Sequence, residues 1–365
     1  MRGHGYIRVH RLHPCVSVSF PKYLDTEILV AYTVGNQHTL LFFTMTYRCI
    51  WCRSVDTPRT FTARERLFGM EGEFEYAECA GCGSLQILHP PDDLLRYYPP
   101  EYDAYNTLPD SYYKGLLGVI RTWRDRTVAT GRGLLGRLVL LAHPQQDPRV
   151  RSIRLLNLSP DARVLDVGCG SGLLLLIMHQ VGFRHVEGID PYYPSDKPIG
   201  GKVPVYRRTL REHVEAHPPP YDVLMYHHVL EHVPDPEGEL TLAKQLLKPG
   251  GRVLVRLPLA GSYHWKHYGT DWFQLDAPRH LSIPSVQGLK ALAERCGYTV
   301  EYTGFDALPL HLHASELYRK GIPGSQHRPD MHTRAQWREF ARLTEHLNRT
   351  GEADSGVFVL SERRL

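Results

Sequence analysis

Beyond Ala162 the chain alternates short apolar runs with stretches of helical period, the succession that a parallel sheet joined by crossover helices demands. Arg163 to Val167, His185 to Ile189, Val203 to Tyr206, Tyr221 to Tyr226, Gly251 to Leu257, Thr299 to Thr303 and Gly356 to Leu360 predict seven strands. Between the last two, residues 313–349 keep helical spacing and read as an insert placed to close over a substrate. The expected class is α/β, a mostly parallel seven-stranded sheet with helices on both faces.

Upstream the pattern changes. Leu116, Leu117, Val119 and Ile120, then Leu134, Leu135 and Leu138, recur at helical spacing with a break near Gly131 and Gly133, which predicts two helices. Pro90, Pro91, Pro99 and Pro100 mark an irregular, Tyr-rich connector and a domain boundary. Residues 1–44 hold no sustained period, and Met45 stands just before the first organised feature. The expected division is a non-native or disordered extension over 1–44 with the native start at Met45, a cysteine-bearing module over 45–100, a helical linker over 101–150 and the sheet domain over 151–365.

Composition narrows the classes. The 365 residues are 42% hydrophobic and 22% charged, the balance of a soluble globular protein of about two domains. A formal charge of +4 is too small to make nucleic acid the default partner. The apolar runs near the N-terminus are too short to span a bilayer, and no signal-type segment follows the basic start, so a cytoplasmic location is expected. Arg121, Arg124, Arg126, Arg132 and Arg137 of the linker face few acids. A solvated helix face is the plain reading, and a membrane-surface or acidic-substrate contact is the alternative.

Candidate chemistry begins at the first strand of the sheet domain. Val164 to Val167 runs into Gly168, Cys169, Gly170, Ser171 and Gly172, followed by the apolar helix that starts at Leu173. Glycines let the backbone turn sharply and approach a ligand, while amides at the helix start receive a polar or anionic group. The sixth position of a dinucleotide fingerprint is Leu173 rather than glycine, which disfavours a nicotinamide cofactor. Asp190 closes the second strand 22 residues after Gly168, near the spacing of a ribose-binding acid.

Four of the seven cysteines form two C-x-x-C pairs, Cys49 with Cys52 and Cys79 with Cys82. Each pair can chelate from one tight turn, and together they supply the four thiolates of a closed structural Zn(II) site. The module is therefore expected to be a zinc ribbon. A redox pair would call for a thioredoxin-like strand and helix, which residues 45–90 lack.

V-L-D-V-G-C-G-S-G at 164–172, L-E-H-V-P-D-P at 230–236 and L-K-P-G-G at 247–251 resemble the class I S-adenosylmethionine-dependent methyltransferases, whose fold is Rossmann-like. With the cysteine pairs and the Tyr97 to Tyr102 connector, the layout looks like a bacterial subgroup carrying an N-terminal zinc ribbon, which includes enzymes that tailor sugars and secondary metabolites. The resemblance implies that Gly168, Cys169, Gly170 and Gly172 lie against the methionine part of the cofactor and that Asp166 orients its amino group. It also implies that Asp190 and Pro191 hold the ribose side, and that His227 and His228 border cofactor and acceptor. Arg207, Arg208, Thr209 and Leu210 replace the acid or amide that the family often offers to adenine, so no adenine ligand is assigned.

A hydroxyl acceptor needs a base, and a neutral histidine suits that task. The candidates are His227, His228, His232, His264, His267 and His280. His280 ranks first, with His232 and His228 behind it, because residues 269–280 match a segment of the resembled subgroup at Trp272, Pro278, Arg279 and His280. Tyr263, Trp265, Tyr268, Trp272 and Phe273 offer an aromatic wall or, equally, core packing. The acceptor expected is a small molecule or sugar-type hydroxyl. The rivals are an RNA methyltransferase that uses the ribbon to bind RNA, opposed by acids interspersed among the arginines of residues 45–90, and an inactive scaffold of the same fold, opposed by the intact Asp166, Gly168, Gly170 and Asp190.

Overall fold

The computed structural model describes residues 24–31, 40–99, 102, 112–144, 147–194 and 198–363, with 24–31 and 40–46 as backbone. The N-terminal strands β1 (Leu24–Ala31) and β2 (Leu40–Tyr47) pair antiparallel, and the pair Thr26 with Met45 lies inside that ladder. The rest of the expectation for residues 1–44 lies outside the described residues. Strands β3 (Arg59–Arg64), β4 (Glu73–Glu78) and β5 (Leu85–Ile87) follow and form an antiparallel meander that carries the cysteine pairs at its end. Helices α1 (Gly115–Thr130) and α2 (Leu134–Ala142) occupy the predicted linker, and α3 (Pro148–Ile153) leads into the sheet domain.

In that domain β6 (Arg163–Val167), α4 (Leu173–Val181), β7 (His185–Ile189), β8 (Val205–Tyr206), α5 (Leu210–Glu215), β9 (Tyr221–His227), α6 (Pro236–Leu246) and β10 (Leu247–Pro258) come in succession. Then come α7 (Tyr263–Tyr268), β11 (Ser282–Ile283), α8 (Val286–Arg295), β12 (Tyr298–Phe305), α9 (Pro309–Arg319), α10 (Arg334–Thr350) and β13 (Ser355–Glu362). The seven-stranded sheet has the order β12-β13-β10-β9-β6-β7-β8, with β13 antiparallel to both neighbours and the other described pairs parallel. All seven predicted strands are present, and the helical insert is α9 and α10. The third strand is shorter than expected. Pro204 has no N–H for a ladder, so Val203 instead bridges back to Ile199 and pairing with β7 starts at Val205.

Alternate residues of each strand serve opposite faces, as a sheet buried on both sides requires. Leu224, Tyr226, Val253, Val255 and Phe358 join the core under α6 and α8, while Val223, Met225, Leu254 and Val357 join the core under α3 and α4. Cys49, Trp51, Cys79 and Cys82 belong to the first of these cores, so the cysteine module is seated on the sheet domain. The seating extends to the backbone, because β11 of the sheet domain pairs with β5 and completes a four-stranded sheet. Trp265, Tyr268 and Trp272 are buried with Tyr76, Leu85 and Ile87 between the two units, and the Trp272 indole donates to Asp354 Oδ2 at 2.8 Å. These aromatics form packing. No described helix is long and apolar enough to cross a membrane.

Candidate active site and cysteine cluster

The C-terminal ends of parallel strands are where open α/β sheets bind ligands. Here the ends of β6, β7 and β9 bring together the glycine turn, Asp190 and His227. Gly168, Gly170 and Gly172 all take positive φ, and two of them also leave no room for a side chain. A Cβ on Gly168 would meet Val229 at 2.7 Å, and one on Gly172 would meet Ile199 at 1.8 Å. Tight packing thus explains those two glycines. The Cys169 side chain lies against Gly188 of β7, so its contribution to the turn is through the backbone.

Asp190 is buried and organises the turn: Gly170 N–H donates to its Oδ2 at 3.0 Å and Tyr192 N–H to its Oδ1 at 2.8 Å. Pro191 is exposed, and its carbonyl accepts from Arg207 Nε at 3.3 Å. Asp166 is buried with Oδ1 lacking a protein partner, and burial, with Asp190 nearby, pushes its carboxyl up to about 7 against the pull of Arg149. Both ring nitrogens of His227 are likewise buried without a protein partner, and burial beside Arg256 and Arg149 holds the ring neutral. Buried polar atoms left unpaired are costly, so these groups call for a partner of complementary polarity. Arg149, which sequence reasoning missed, is fixed by three side-chain bonds to Asp147, the N-cap of α3.

A second cluster adjoins β9. His228 adopts φ 57° and is clamped on both ring nitrogens, with Nδ1 3.0 Å from Glu231 Oε1 and Nε2 against the Arg256 guanidinium. Arg256 is itself held by Asp306 and Ser355. His232 and His280 pack edge to face with ring centroids 4.7 Å apart. Each directs Nδ1 to a backbone carbonyl, Arg279 O at 3.0 Å for His232 and Gln274 O at 2.8 Å for His280. A carbonyl can only accept, so Nδ1 is the donor in each bond, and the Nε2 of His280 lies 4.0 Å from Asp276 Oδ2. Burial beside His280 lowers His232 to about 4, so it is neutral at pH 7. Glu231 is fully buried with Oε2 unpartnered, and burial raises its carboxyl. Of the other histidines, His264 is buried beside Asp354 and His267 sits under Arg319, both away from this cluster's contacts.

The cysteine module reaches into this cluster. The Tyr98 hydroxyl lies 3.1 Å from His232 Nδ1, and the Tyr76 hydroxyl donates to His280 O at 2.8 Å. Arg279, fully buried, bonds Glu65 at 2.6 Å, Asp276 at 2.6 and 2.9 Å, and Tyr97 O at 2.9 Å. Sequence reasoning assigned no role to Tyr98, Glu65 or Arg256. Arg279 and Tyr98 lay inside segments it singled out.

The four predicted cysteines converge, with every Sγ within 4.8 Å of the others. The closest approaches are 3.8 Å between Cys49 and Cys82 and 3.6 Å between Cys52 and Cys79. A tetrahedron with metal–sulfur bonds of about 2.3 Å has edges of about 3.8 Å, so the cluster has metal-site dimensions. Both knuckles share one turn: Arg53 N–H bonds Cys49 O and Gly83 N–H bonds Cys79 O, with Arg53 at φ 68° and Gly83 at φ 73°.

Residues 142–303, which contain the glycine turn, Asp190 and the histidine cluster, match the family model described as a methyltransferase domain. These residues form a methyltransferase domain. Over 100 residues the chain is 38% identical to ubiquinone biosynthesis O-methyltransferases of Yersinia pestis (strain Pestoides F) and Yersinia pseudotuberculosis serotype O:1b (strain IP 31758). That match covers 26% of this chain and 41% of each relative, so the chain spans less than half the length of these curated relatives. Among solved structures, the chain resembles a SAM-dependent methyltransferase from Archaeoglobus fulgidus at 20% identity, covering 63% of this chain and 100% of that one, with a TM-score of 0.39. It also resembles mycolic acid cyclopropane synthase complexed with SAH and CTAB, at 16% identity, 75% and 99% coverage and a TM-score of 0.42.

Proposed function

We propose that the chain transfers a methyl group from S-adenosylmethionine to a hydroxyl oxygen of a small-molecule acceptor, of the sugar or secondary-metabolite kind. The observation that carries this reading is the pair of unsatisfied buried groups, Asp166 Oδ1 and the His227 ring, beside Asp190 in a methyltransferase domain. Asp166 would hold the cofactor's ammonium, Arg149 its carboxylate, and Asp190 with Pro191 the ribose side, along the turn from Gly168 through Cys169 and Gly170 to Gly172. When bound, S-adenosylmethionine supplies a methyl group activated by its sulfonium. What the residues add is register: holding acceptor oxygen and methyl in line accounts for most of the rate.

The hydroxyl proton requires an acceptor, and His280 and His232 offer Nε2, their rings fixed by their Nδ1 bonds. His228, with both nitrogens held, positions Glu231 and Arg256 instead. The O-methyltransferase names of the curated relatives support oxygen as the atom methylated. We further propose Zn(II) on Cys49, Cys52, Cys79 and Cys82 as a structural ion, and a reducing, cytoplasmic setting that keeps those thiols available.

Calorimetric titration with S-adenosylmethionine tests the reading directly, and no heat of binding from metal-replete protein would sink it. Asp190→Ala should weaken binding by at least about tenfold, since it removes a ligand and frees the Gly170 and Tyr192 amides together. The pH dependence has a definite sign. Asp166 is neutral below about 7 and anionic above it, so affinity for the cationic ammonium should rise between pH 6 and pH 8, with proton release seen as buffer-dependent binding heat. Affinity flat across that range would remove Asp166 from its role. His280→Ala or His232→Ala should lower kcat by about 10²–10⁴-fold with cofactor affinity unchanged. Wild-type activity in both variants would remove His280 and His232 from the role of base.

A further inference from the structure

The helical pair α1–α2 has a face that the methyl-transfer reading does not use. Helix α1 docks on the sheet domain through Ala129, which joins the core of α3 and α4, with Thr122 bonded to Gln180 of α4. Helix α2 packs in turn on α1, where a Cβ on Gly136 would collide with Thr127 and the Trp123 carbonyl. The side of α2 opposite Gly136 carries Leu134, Leu138 and Leu141, exposed by 78%, 64% and 85%. On α1, Leu116 and Leu117 are exposed by 76% and 64%. No described residue covers these side chains. In α2 the only polar residue is Arg137, and a helix apolar on every side is one that something else buries.

The surrounding charge selects the cover. Within residues 112–144 the basic side chains Lys114, Arg121, Arg124, Arg126, Arg132 and Arg137 stand against one acid, Asp125, which is buried and paired with Arg124. Arg126, Arg132 and Arg137 are exposed. In a two-fold dimer built on this face, each patch would meet its own copy and set these arginines against like charge. An anionic surface meets them with opposite charge, and leucines flanked by arginines suit the boundary between headgroups and acyl chains. At 9 residues, α2 is too short to span a bilayer and long enough to lie in its interface.

We propose that the leucine face of α1–α2 docks the protein on an anionic phospholipid bilayer. The docking does not depend on the methyl-transfer reading, so its test stands apart from that of the cofactor site. Full-length protein is floated with vesicles of phosphatidylcholine alone or with added phosphatidylglycerol. The expected result is retention on the anionic vesicles, with little on the neutral ones. L134S/L138S/L141S should lose at least about a hundredfold in vesicle affinity, and R132Q/R137Q on the order of 30-fold, with melting temperature and S-adenosylmethionine titration unchanged. Wild-type protein that stays soluble with every vesicle overturns the proposal, as does undiminished binding by the triple leucine variant. A wild-type dimer that the leucine variant converts to monomer, with no vesicle binding by either, also overturns it and makes the face a contact between copies.

Discussion

Replacing Glu65 with alanine is expected to destabilise the protein by about 3–5 kcal/mol, the usual consequence of stripping one partner from a buried ion pair. The Glu65 carboxylate does two jobs. It accepts the N–H groups of Leu67, Phe68 and Met70 at 2.8–3.0 Å, which folds the loop after β3, and it neutralises Arg279 in the interior. Alanine leaves three amides and part of a guanidinium without acceptors, and water has no route to replace them at full burial. Glu65→Gln should fall between, because the amide oxygen still accepts the N–H groups while the charge is lost. Urea denaturation reads the effect, and a loss under about 1 kcal/mol would show that Asp276 alone satisfies Arg279. Since Arg279 O receives His232 and the next residue is His280, kcat should fall along with stability although Glu65 touches neither ring.

Withdrawing the Zn(II) proposed for the cysteine cluster should have the larger effect. Structural zinc contributes on the order of 10 kcal/mol to small domains, comparable with the entire stability of an ordinary protein. Cys49→Ser is therefore expected to abolish one equivalent of bound zinc and to unfold residues 45–99 as ordered structure. Trp51 supplies the signal, being fully buried against Gly288 and Cys82, so its emission should shift to the red as metal is lost. Elemental analysis giving no zinc in folded wild-type protein would remove the ion from the account. Because Tyr76, Tyr98 and Glu65 all arrive from this module, catalysis should disappear with it even when the sheet domain still binds S-adenosylmethionine.

The sheet was legible in the sequence because its physical signals are local. Apolar runs bounded by turns placed seven strands within a few residues of their positions, and the one clear shortfall came at Pro204, where a missing N–H ends the ladder early. The cysteine pairs were legible for the same reason, each being a complete turn. What could not be read is long-range. Nothing near Ser282 announces that it pairs with Gln86. Nothing in six similar histidines reveals that His228 is clamped by Arg256 while His232 and His280 each turn Nδ1 to a backbone carbonyl, since the deciding partners are carbonyls and a guanidinium on another strand. The aromatics of residues 263–273 read equally well as ligand wall or core, and only the position of the cysteine module decides for core.

The pairing of β11 with β5 also bears on how the chain is made. Ribosomal synthesis delivers Gln86 long before Ser282, so the N-terminal unit must wait, with one sheet edge open, until most of the protein has emerged. An unpaired edge in a nascent polypeptide invites association with its neighbours, and early capture of the metal ion by the thiolates would hold that unit in shape through the delay.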